Sequence, residues 1–551
     1  MPARNVIPAL KAQYRREGFW SDQTLFELLA GHARATPEKL AVADASRRWS
    51  YEELIARVVR LSDYLLSIGV ARGDPVALQS PSRAEIPLAH FACNRIGALL
   101  LPLHEAWREV EVGHLLKVSQ AKVFITLGAY RDFDHYKMAK GLQQNTPTLK
   151  HIIVSGDAVP SQATALEAII DAPAKKSATP EEIRGNRPDP DDPGLVMVSS
   201  GTTALPKASV WSGNDLYAFL AVQYAQRIKL TKDDIAVQIA PASMGSTGYV
   251  FPVLAPLLTG GTSIMIERYD PDQALEIIQR EKATFATAVP AQIVRMADSP
   301  KARSGDYSRF TRFNNAGAPL PYDAGLAIEQ LLDCRTQVSY GSTDGGVPSM
   351  TSIDDPREKR LRTVGRRLPG QELKLFDNDY REVPPGAAGE VSWRGPNKTR
   401  GYLNDPARTA EAFRDDGWYL SGDLGVIDED GYLRIVGRKK DMILRGGHNI
   451  SPALIEEMLG KHPKVQEIAV AAMPDRVLGE RACAFVVLRP NVSPLMIAEA
   501  VDFLKAQKMT VLDLPERVEI VEALPMSAGG KVQKAELTKL VTDRMKREGK
   551  A

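Results

Sequence analysis

Residues 199–207 read Ser-Ser-Gly-Thr-Thr-Ala-Leu-Pro-Lys and follow the apolar run Leu195 to Val198. Small hydroxyl residues and glycine after a strand present backbone N–H groups and hydroxyls to phosphate oxygens. Ser199, Ser200, Gly201, Thr202 and Thr203 are candidates for that contact, and Lys207 supplies a cation. A Walker A loop is excluded, because it needs Gly before its Lys and Ser or Thr after it. Pro206 and Ala208 stand in those places. By itself the stretch also suits an ordinary Ser/Thr-rich turn.

Four further segments carry groups of chemical interest. Asn315-Ala316-Gly317-Ala318-Pro319-Leu320-Pro321 and Tyr340-Gly341-Ser342-Thr343-Asp344 both follow strand-like runs, where open α/β sheets bind ligands. Gly317 and Gly341 permit close backbone approach to a flat ring. Tyr340 offers an aromatic face, and Asp344 offers a hard oxygen ligand suited to Mg²⁺ beside a phosphate. Trp418 to Gly425 places Asp423 among small residues, where a carboxylate can accept two hydrogen bonds from ribose hydroxyls. Gly437-Arg438-Lys439-Lys440-Asp441, followed by Gly446-Gly447, reads as a hinge and a flexible loop. Pro525-Met526-Ser527-Ala528-Gly529-Gly530-Lys531 sets one lysine on a Gly-Gly turn. Each segment alone also fits a turn, a solvated linker or a surface lysine.

The elements around these segments must place them. From Thr24 to about residue 190, helical spacing alternates with short apolar runs. Leu25, Leu28 and Leu29 share a helix face, and Ala89 to Ile96 reads as a helix. Val76 to Leu78, Gly97 to Leu103, Val123 to Thr126 and His151 to Val154 read as strands. Such alternation predicts parallel sheets covered by helices. A second alternating block runs to about Ser339. From Lys374 to Ile435 short strands recur between turn signals such as Asp377-Asn378, Asp416-Gly417 and Asp430-Gly431, predicting a β-rich subdomain. After Arg438 a mixed segment follows: helix 452–459, strands 465–472 and 482–488, then helix 496–508. The division therefore falls at Gly437-Arg438, giving domains 1–437 and 438–551.

A chain of 551 residues predicts about two to four domains. It is 44% hydrophobic and 25% charged, with a net charge of +2. That composition belongs to a globular protein, and nothing in it draws the chain to nucleic acid or an anionic membrane. The basic run from Arg544 to Lys550 reads as a charged helix end. The three cysteines, Cys93, Cys334 and Cys483, lack paired spacing and fit a reducing compartment. Eight histidines show no metal-binding spacing. Met1 to Arg16 is basic and acid-poor but lacks the apolar core of a secretory signal. No apolar run reaches the ~18 residues of a membrane span, so the expected compartment is the cytoplasm.

Taken together, the five segments resemble the adenylate-forming superfamily of AMP-forming acyl-CoA synthetases, adenylation domains and luciferases. The resemblance runs from about Thr24 to Leu537, in the family's order and spacing. It implies an α/β fold: a large N-terminal domain of two helix-covered sheets plus a β-rich subdomain, then a small mobile α+β C-terminal domain. It implies ATP, Mg²⁺ and coenzyme A as cofactors. The resemblance assigns Ser199 to Lys207 to phosphate and Gly317, Ala318 and Pro319 to the adenine and acyl pocket. Tyr340, Gly341, Ser342 and Thr343 pack on adenine and the α-phosphate. Asp344 serves magnesium, where the family more often has Glu; the shorter side chain leaves both direct binding and binding through a water open. Asp423 and Arg438 hold the ribose, and Gly446 and Gly447 flank the pantetheine tunnel. Lys440 is the hinge. Lys531 bridges carboxylate and α-phosphate, with Thr343 and Asp344 completing the catalytic set.

Tyr14 to Trp20 and Leu101-Pro102-Leu103-His104 further resemble the subgroup of aryl and alicyclic acid-CoA ligases and 2,3-dihydroxybenzoate–AMP ligases. In that subgroup a His-Asn-Tyr run reads a hydroxylated ring; here Met244 and Gly245 take the His and Asn places. Met is apolar and adaptable, and Gly opens volume. The expected substrate is a compact apolar acid, aromatic or alicyclic, such as benzoate or cyclohexanecarboxylate. Tyr249, Phe251 and Val289 add to the pocket walls. CoA is the expected acceptor. The alternatives are a stand-alone acyl-AMP ligase that loads a carrier protein, and a medium- or long-chain fatty acid-CoA ligase. Nucleic acid and membrane are not expected partners, and the sequence leaves monomer and dimer both open.

Overall fold

The computed structural model describes residues 8–156, 158–173, 188–199, 205–446, 448–526 and 532–548. They group into two compact units. Unit one takes in the chain up to Ser199, then Leu205–Glu372 and Trp393–Tyr419; unit two takes Leu373–Ser392 and the chain from Leu420 onward. The division expected at Gly437-Arg438 therefore lies inside unit two. The β-rich stretch groups with the C-terminal segment.

Unit one is built on two large sheets. In the nine-stranded sheet, strands Leu40–Ala43, Thr262–Met265, Ile235–Gln238, Phe285–Ala288, Arg312–Ala316 and Arg335–Ser342 run parallel in that order. Short antiparallel strands close both edges. In the seven-stranded sheet, Pro193–Ser199, Leu99–Leu103, Pro75–Gln79, Val123–Leu127 and His151–Ser155 run parallel. Lys207–Ser212 pairs antiparallel to Pro193–Ser199. Each expected strand is present, within a few residues at its ends.

Helix Tyr51–Ser67 shows why the covering elements form. Ser50 and Glu53 make a reciprocal capping box at its start, which satisfies two otherwise orphaned donors. Tyr51, Leu54, Val58, Leu61 and Leu65 then recur at helical spacing and are buried. Each such side chain contributes roughly 1.5–3 kcal/mol by leaving water. Helix Glu85–Ile96 is different, because all of its residues are buried. Its side chains join one apolar cluster with Val76 and Leu100 of the seven-stranded sheet and Val42, Ala236 and Phe285 of the nine-stranded sheet. Burial on every side forces partners on its polar groups. Glu85 pairs with Arg47 at 2.6 Å. Asn94 Oδ1 accepts from Phe26 N at 2.8 Å, and Arg95 donates to Ser62 Oγ and Asp63. His90 Nδ1 lies 2.7 Å from the Tyr249 hydroxyl.

Unit two contains a four-stranded sheet of Glu372–Phe376, Gly389–Arg394, Tyr419–Ile427 and Leu433–Arg438, whose ends run into unit one. It also contains a five-stranded sheet around Val465–Asp475 and Gly479–Leu488. The period of two is visible along Gly479–Leu488. Ala482, Ala484 and Val486 face one apolar cluster with helices Pro452–Leu459 and Ile497–Ala506. Cys483 and Phe485 face another with helix Lys534–Arg547. Arg544, Lys546 and Arg547 of the basic C-terminal run lie in the last turn of that helix, and Arg544 pairs with Glu519. All three cysteines are buried, as core thiols. No helix among the described residues is long and apolar enough to cross a membrane.

Burial pushes the His90 imidazole down to about 3. The unfolded chain takes up this proton near the ordinary histidine value, about 6.5, whereas the folded chain resists it until about 3. The unfolded state thus binds more protons across that window, and stability must fall with falling pH. His90→Gln, which keeps a polar partner for Tyr249, should flatten this part of the profile. Thermal unfolding midpoints measured from pH 7 to pH 4 check it; an unchanged slope would refute the assignment.

Candidate active site

Four candidate segments meet at one sheet edge. Strands Ile235–Gln238, Phe285–Ala288, Arg312–Ala316 and Arg335–Ser342 are consecutive parallel neighbours. Met244 and Gly245, Val289, Gly317 to Pro319, and Tyr340 to Asp344 follow or finish their C-terminal ends in turn. Ligands bind at that edge in open α/β sheets. Gly317 has φ +91°, Asn315 Nδ2 donates to Ala318 O at 3.1 Å, and Pro319 is exposed. Val289 caps helix Pro290–Asp298.

The turn Thr343-Asp344-Gly345 joins Arg335–Ser342 to its antiparallel partner Gly346–Met350. It is held from several directions. Trp211 Nε1 donates to Thr343 O at 3.3 Å and Trp393 Nε1 to Gly345 O at 2.9 Å. Asp344 N donates to Ser342 Oγ at 3.0 Å, and Thr399 Oγ1 donates to Asp344 O at 2.5 Å. The Ser342 and Tyr419 hydroxyls lie 3.1 Å apart. A Cβ on Gly345 would fall 2.3 Å from the Tyr419 ring, so only glycine fits there. Gly341 is also closely approached; a Cβ there would lie 2.4 Å from Gly346 O. Tyr340 meets Trp393 edge-on, with centroids 6.1 Å apart.

The Asp344 side chain reaches the stem of the Ser/Thr-rich loop. Ser199 and Lys207 are opposite one another in the antiparallel pair. Asp344 Oδ1 accepts from Ser199 Oγ at 3.0 Å and from Ser209 Oγ at 2.9 Å. Lys207 Nζ lies 3.7 Å from Asp344 Oδ2 and 5.4 Å from the Tyr402 ring centroid. Tyr402 is 7% exposed. Burial, and then the nearby Asp344 charge, push its ionisation well up. Sequence reading thus finds Ser199, Lys207 and Asp344 but misses Ser209, Thr399 and Tyr402. Ser209 was legible, because it lies two residues along the strand from Lys207 and so on the same face. Thr399 and Tyr402 had no such signal. Ser200, Gly201, Thr202, Thr203, Gly447 and Lys531 lie outside the described residues.

Magnesium prefers octahedral oxygen ligands at about 2.0–2.1 Å. Asp344 Oδ1 already takes two hydroxyl hydrogens, and an ammonium stands beside Oδ2. No group of three His, Cys, Asp or Glu suited to a metal occurs among the described residues. As arranged, these side chains suit a clamp of hydroxyls and ammonium on a carboxylate, and do not fit a directly bound Mg²⁺.

Near the expected acid pocket, Met244 is buried in an apolar cluster with Leu101, Leu103 and Val198. Gly245 has φ +69°, and a Cβ there would lie 2.8 Å from Pro102 Cγ. The volume that glycine was expected to open is thus occupied by Pro102, a correction made by the fold. Val198 N donates to Met244 O at 3.2 Å, which ties this segment to the strand preceding the loop. Tyr249 is fully buried. Phe251 packs with Phe219 and Tyr224, at centroid distances of 5.3 and 4.8 Å, so both lie within the apolar core.

In unit two, Asp423 and Arg438 are cross-strand partners, with Arg438 Nε donating to Asp423 Oδ1 at 2.6 Å. Lys440 is exposed in the short turn Lys439–Asp441. Gly446 opens a hairpin turn, with φ +57° and its N–H donating to Leu478 O at 2.7 Å.

The segment 397–403 carries Thr399 and Tyr402 and depends on Arg400. Arg400 N donates to Val210 O at 2.9 Å, and Val210 N to Gly401 O at 2.9 Å. The Arg400 guanidinium makes two bonds to the Asp215 carboxylate, at 2.9 and 3.0 Å. Their side chains are 4% and 1% exposed. Removing one partner of a buried pair costs about 3–5 kcal/mol. Arg400→Ala should therefore lower the thermal unfolding midpoint markedly, while Lys229→Ala, at an exposed ion pair, should hardly move it. Calorimetry of both variants checks this.

Comparison with known proteins agrees with this geometry. Residues 29–403 match the model of the AMP-binding enzyme family, and residues 454–531 match that of the AMP-binding enzyme C-terminal domain. The chain is 32% identical to the medium-chain fatty-acid–CoA ligase of Escherichia coli over 536 residues, covering 97% of this chain and 93% of that protein. It is 31% identical to the 2,3-dihydroxybenzoate-AMP ligase of Bacillus subtilis, covering 97% of each. The crystal structure of ATP-bound MatB from Rhodopseudomonas palustris superimposes with a TM-score of 0.84 at 27% identity, over 95% of this chain and all of that one. Sheet edge, loop stem and full-length similarity together place the chain in the AMP-binding enzyme family of adenylate-forming acid ligases.

Proposed function

We propose that the protein activates a compact apolar carboxylic acid, aromatic or alicyclic, with ATP, and passes the acyl group to coenzyme A. The observation that carries this reading is the Asp344 cluster at the stem of the Ser/Thr-rich loop, with the Lys207 ammonium 3.7 Å from its carboxylate. In the first step a carboxylate oxygen of the acid attacks the α-phosphorus of ATP, and pyrophosphate leaves. The loop from Ser199 to Lys207 grips the phosphates, and Thr343 and the backbone near Tyr340 to Ser342 bear on the α-phosphate. Lys531 opposes the charge that builds between the two anions, a preorganised electrostatic role. Gly317 to Pro319 line the adenine, and Asp423 with Arg438 holds the ribose. Magnesium bound with the nucleotide would supply charge screening, with no ligand from Asp344.

In the second step the thiol of CoA attacks the acyl carbonyl and AMP leaves. Rotation at Lys440 would exchange the residues presented by segment 438–551, and Gly446 and Gly447 would flank the entering thiol. The apolar setting of Met244, and Pro102 filling the space beside Gly245, support an acid without ring hydroxyls. A site that lacks a polar partner has no means of favouring a hydroxylated ring. The similarity to a medium-chain fatty-acid–CoA ligase supports a fatty acid as the second reading. Similarity to 2,3-dihydroxybenzoate-AMP ligase supports a stand-alone acyl-AMP ligase as the other alternative. Free thiols throughout support a reducing compartment, the cytoplasm.

An acid panel with ATP and Mg²⁺, scored for pyrophosphate release with and without CoA, tests the reading. Benzoate or cyclohexanecarboxylate should release pyrophosphate, with acyl-CoA formed when CoA is present. Silence with every acid would refute it, and pyrophosphate without acyl-CoA would move the acceptor to a carrier protein. Lys531→Ala should lower adenylation by ~10²–10³, by analogy with oxyanion donors, and spare thioester formation from supplied acyl-AMP. Equal loss of both steps would contradict the two-state use of segment 438–551.

A further inference from the structure

We propose that Asp344 is a positioning residue that pins the two strands of the phosphate-loop stem together, with Ser209 as its second anchor, and that it is not a direct magnesium ligand. The inference rests on the nucleotide reading above and deepens it.

Three observations carry it. The first is the number of strands one carboxylate holds. Ser199 ends one strand of the stem, and Lys207 and Ser209 begin the other. Asp344 Oδ1 accepts from a hydroxyl on each strand, and Oδ2 faces the Lys207 ammonium. The carboxylate thus bridges the stem at the point where the loop leaves it.

The second is the immobility of the Asp344 backbone. Its N–H and its carbonyl are both bonded, and both neighbouring carbonyls accept from indoles. With only two side-chain torsions, the carboxylate cannot swing toward a metal by moving its main chain. Reaching ligand distance would require giving up the serine hydroxyls.

The third is charge. A cation already stands 3.7 Å from Oδ2, and the largely buried Tyr402 ring lies beneath it. A second, divalent cation on the same oxygen would be repelled by that ammonium. When a triphosphate enters, Lys207 meets it from beside Asp344, and the two hydroxyls keep the carboxylate in place. The stem then holds its shape with or without the metal.

Calorimetric titration of ATP into the full chain, once with Mg²⁺ and once with EDTA, separates a pin from a ligand. For Ser209→Ala and Asp344→Asn, a pin predicts about 10-fold weaker ATP binding, the scale of a hydrogen bond to a charged group, by the same factor in both buffers. Asp344→Glu, whose extra methylene overshoots the two serines, should weaken ATP likewise. The proposal is overturned if Asp344→Asn abolishes only the affinity gained from Mg²⁺, or if Asp344→Glu binds as well as the parent. Ser209→Thr should restore ATP affinity; a merely destabilised Ser209→Ala protein would instead show a lowered unfolding midpoint with ATP affinity unchanged, which also overturns it. Failure of the parent chain to bind ATP in either buffer would refute the nucleotide reading itself.

Discussion

A carboxylate withdrawn from bulk water must find donors, and donors that are themselves fixed will fix it in return. Asp344 is 13% exposed and finds two serine hydroxyls and an ammonium. All three belong to the strands that flank the Ser/Thr-rich loop. The rest of unit one can be traced outward from that contact. Trp211 and Trp393 hold the peptide groups on either side of it. Thr399 holds its carbonyl, and Thr399 stays in place because Arg400 beside it is locked to Asp215. Trp20 lies against the Arg400 guanidinium, at 5.2 Å, and donates to Pro396 O. Residues far apart in the chain thereby converge on one turn.

Buried charge is used the same way elsewhere in unit one. Arg312 pairs with Asp234, Arg360 with Glu329 and Arg47 with Glu85, all with side chains largely withdrawn from solvent. Such pairs add little net stability, because desolvation offsets attraction. Their effect is to penalise wrong packing heavily, since a displaced partner leaves a bare charge. Each pair joins residues on different elements. The arrangement specifies which faces meet at the sheet edge where the candidate ligands bind.

Much of this was legible in the residues. The parallel sheets followed from alternating helical and apolar runs, because a strand buried on both faces is apolar throughout. Leu99–Leu103 and Val123–Leu127 are of that kind. Residues 482–488 were legible only as a strand between helices; that helices cover both of its faces was decided by packing. Helix Glu85–Ile96 was only half visible: its first turn holds Glu85 and Pro87, which look like surface and turn residues, and its polar side chains are tolerated only because partners from distant segments meet them. Gly245 was legible as a special position but misleading in its reason. Whether a missing Cβ leaves space or admits a neighbour depends on Pro102, more than a hundred residues away.

What the sequence by itself determined is the chemistry on offer: hydroxyls, glycines, lysines and carboxylates in a fixed order, many of them on strand ends set by hydrophobic periodicity. Local rules suffice there, since strand, turn and cap preferences act within a few residues. Tertiary structure alone decided how those groups are shared. A side chain's role depends on which partners reach it first, and partners are chosen by packing across the whole unit. Asp344, read as a free oxygen ligand, is held by Ser199, Ser209 and Lys207 because the strand pairing of Pro193–Ser199 with Lys207–Ser212 brings all three donors to one carboxylate.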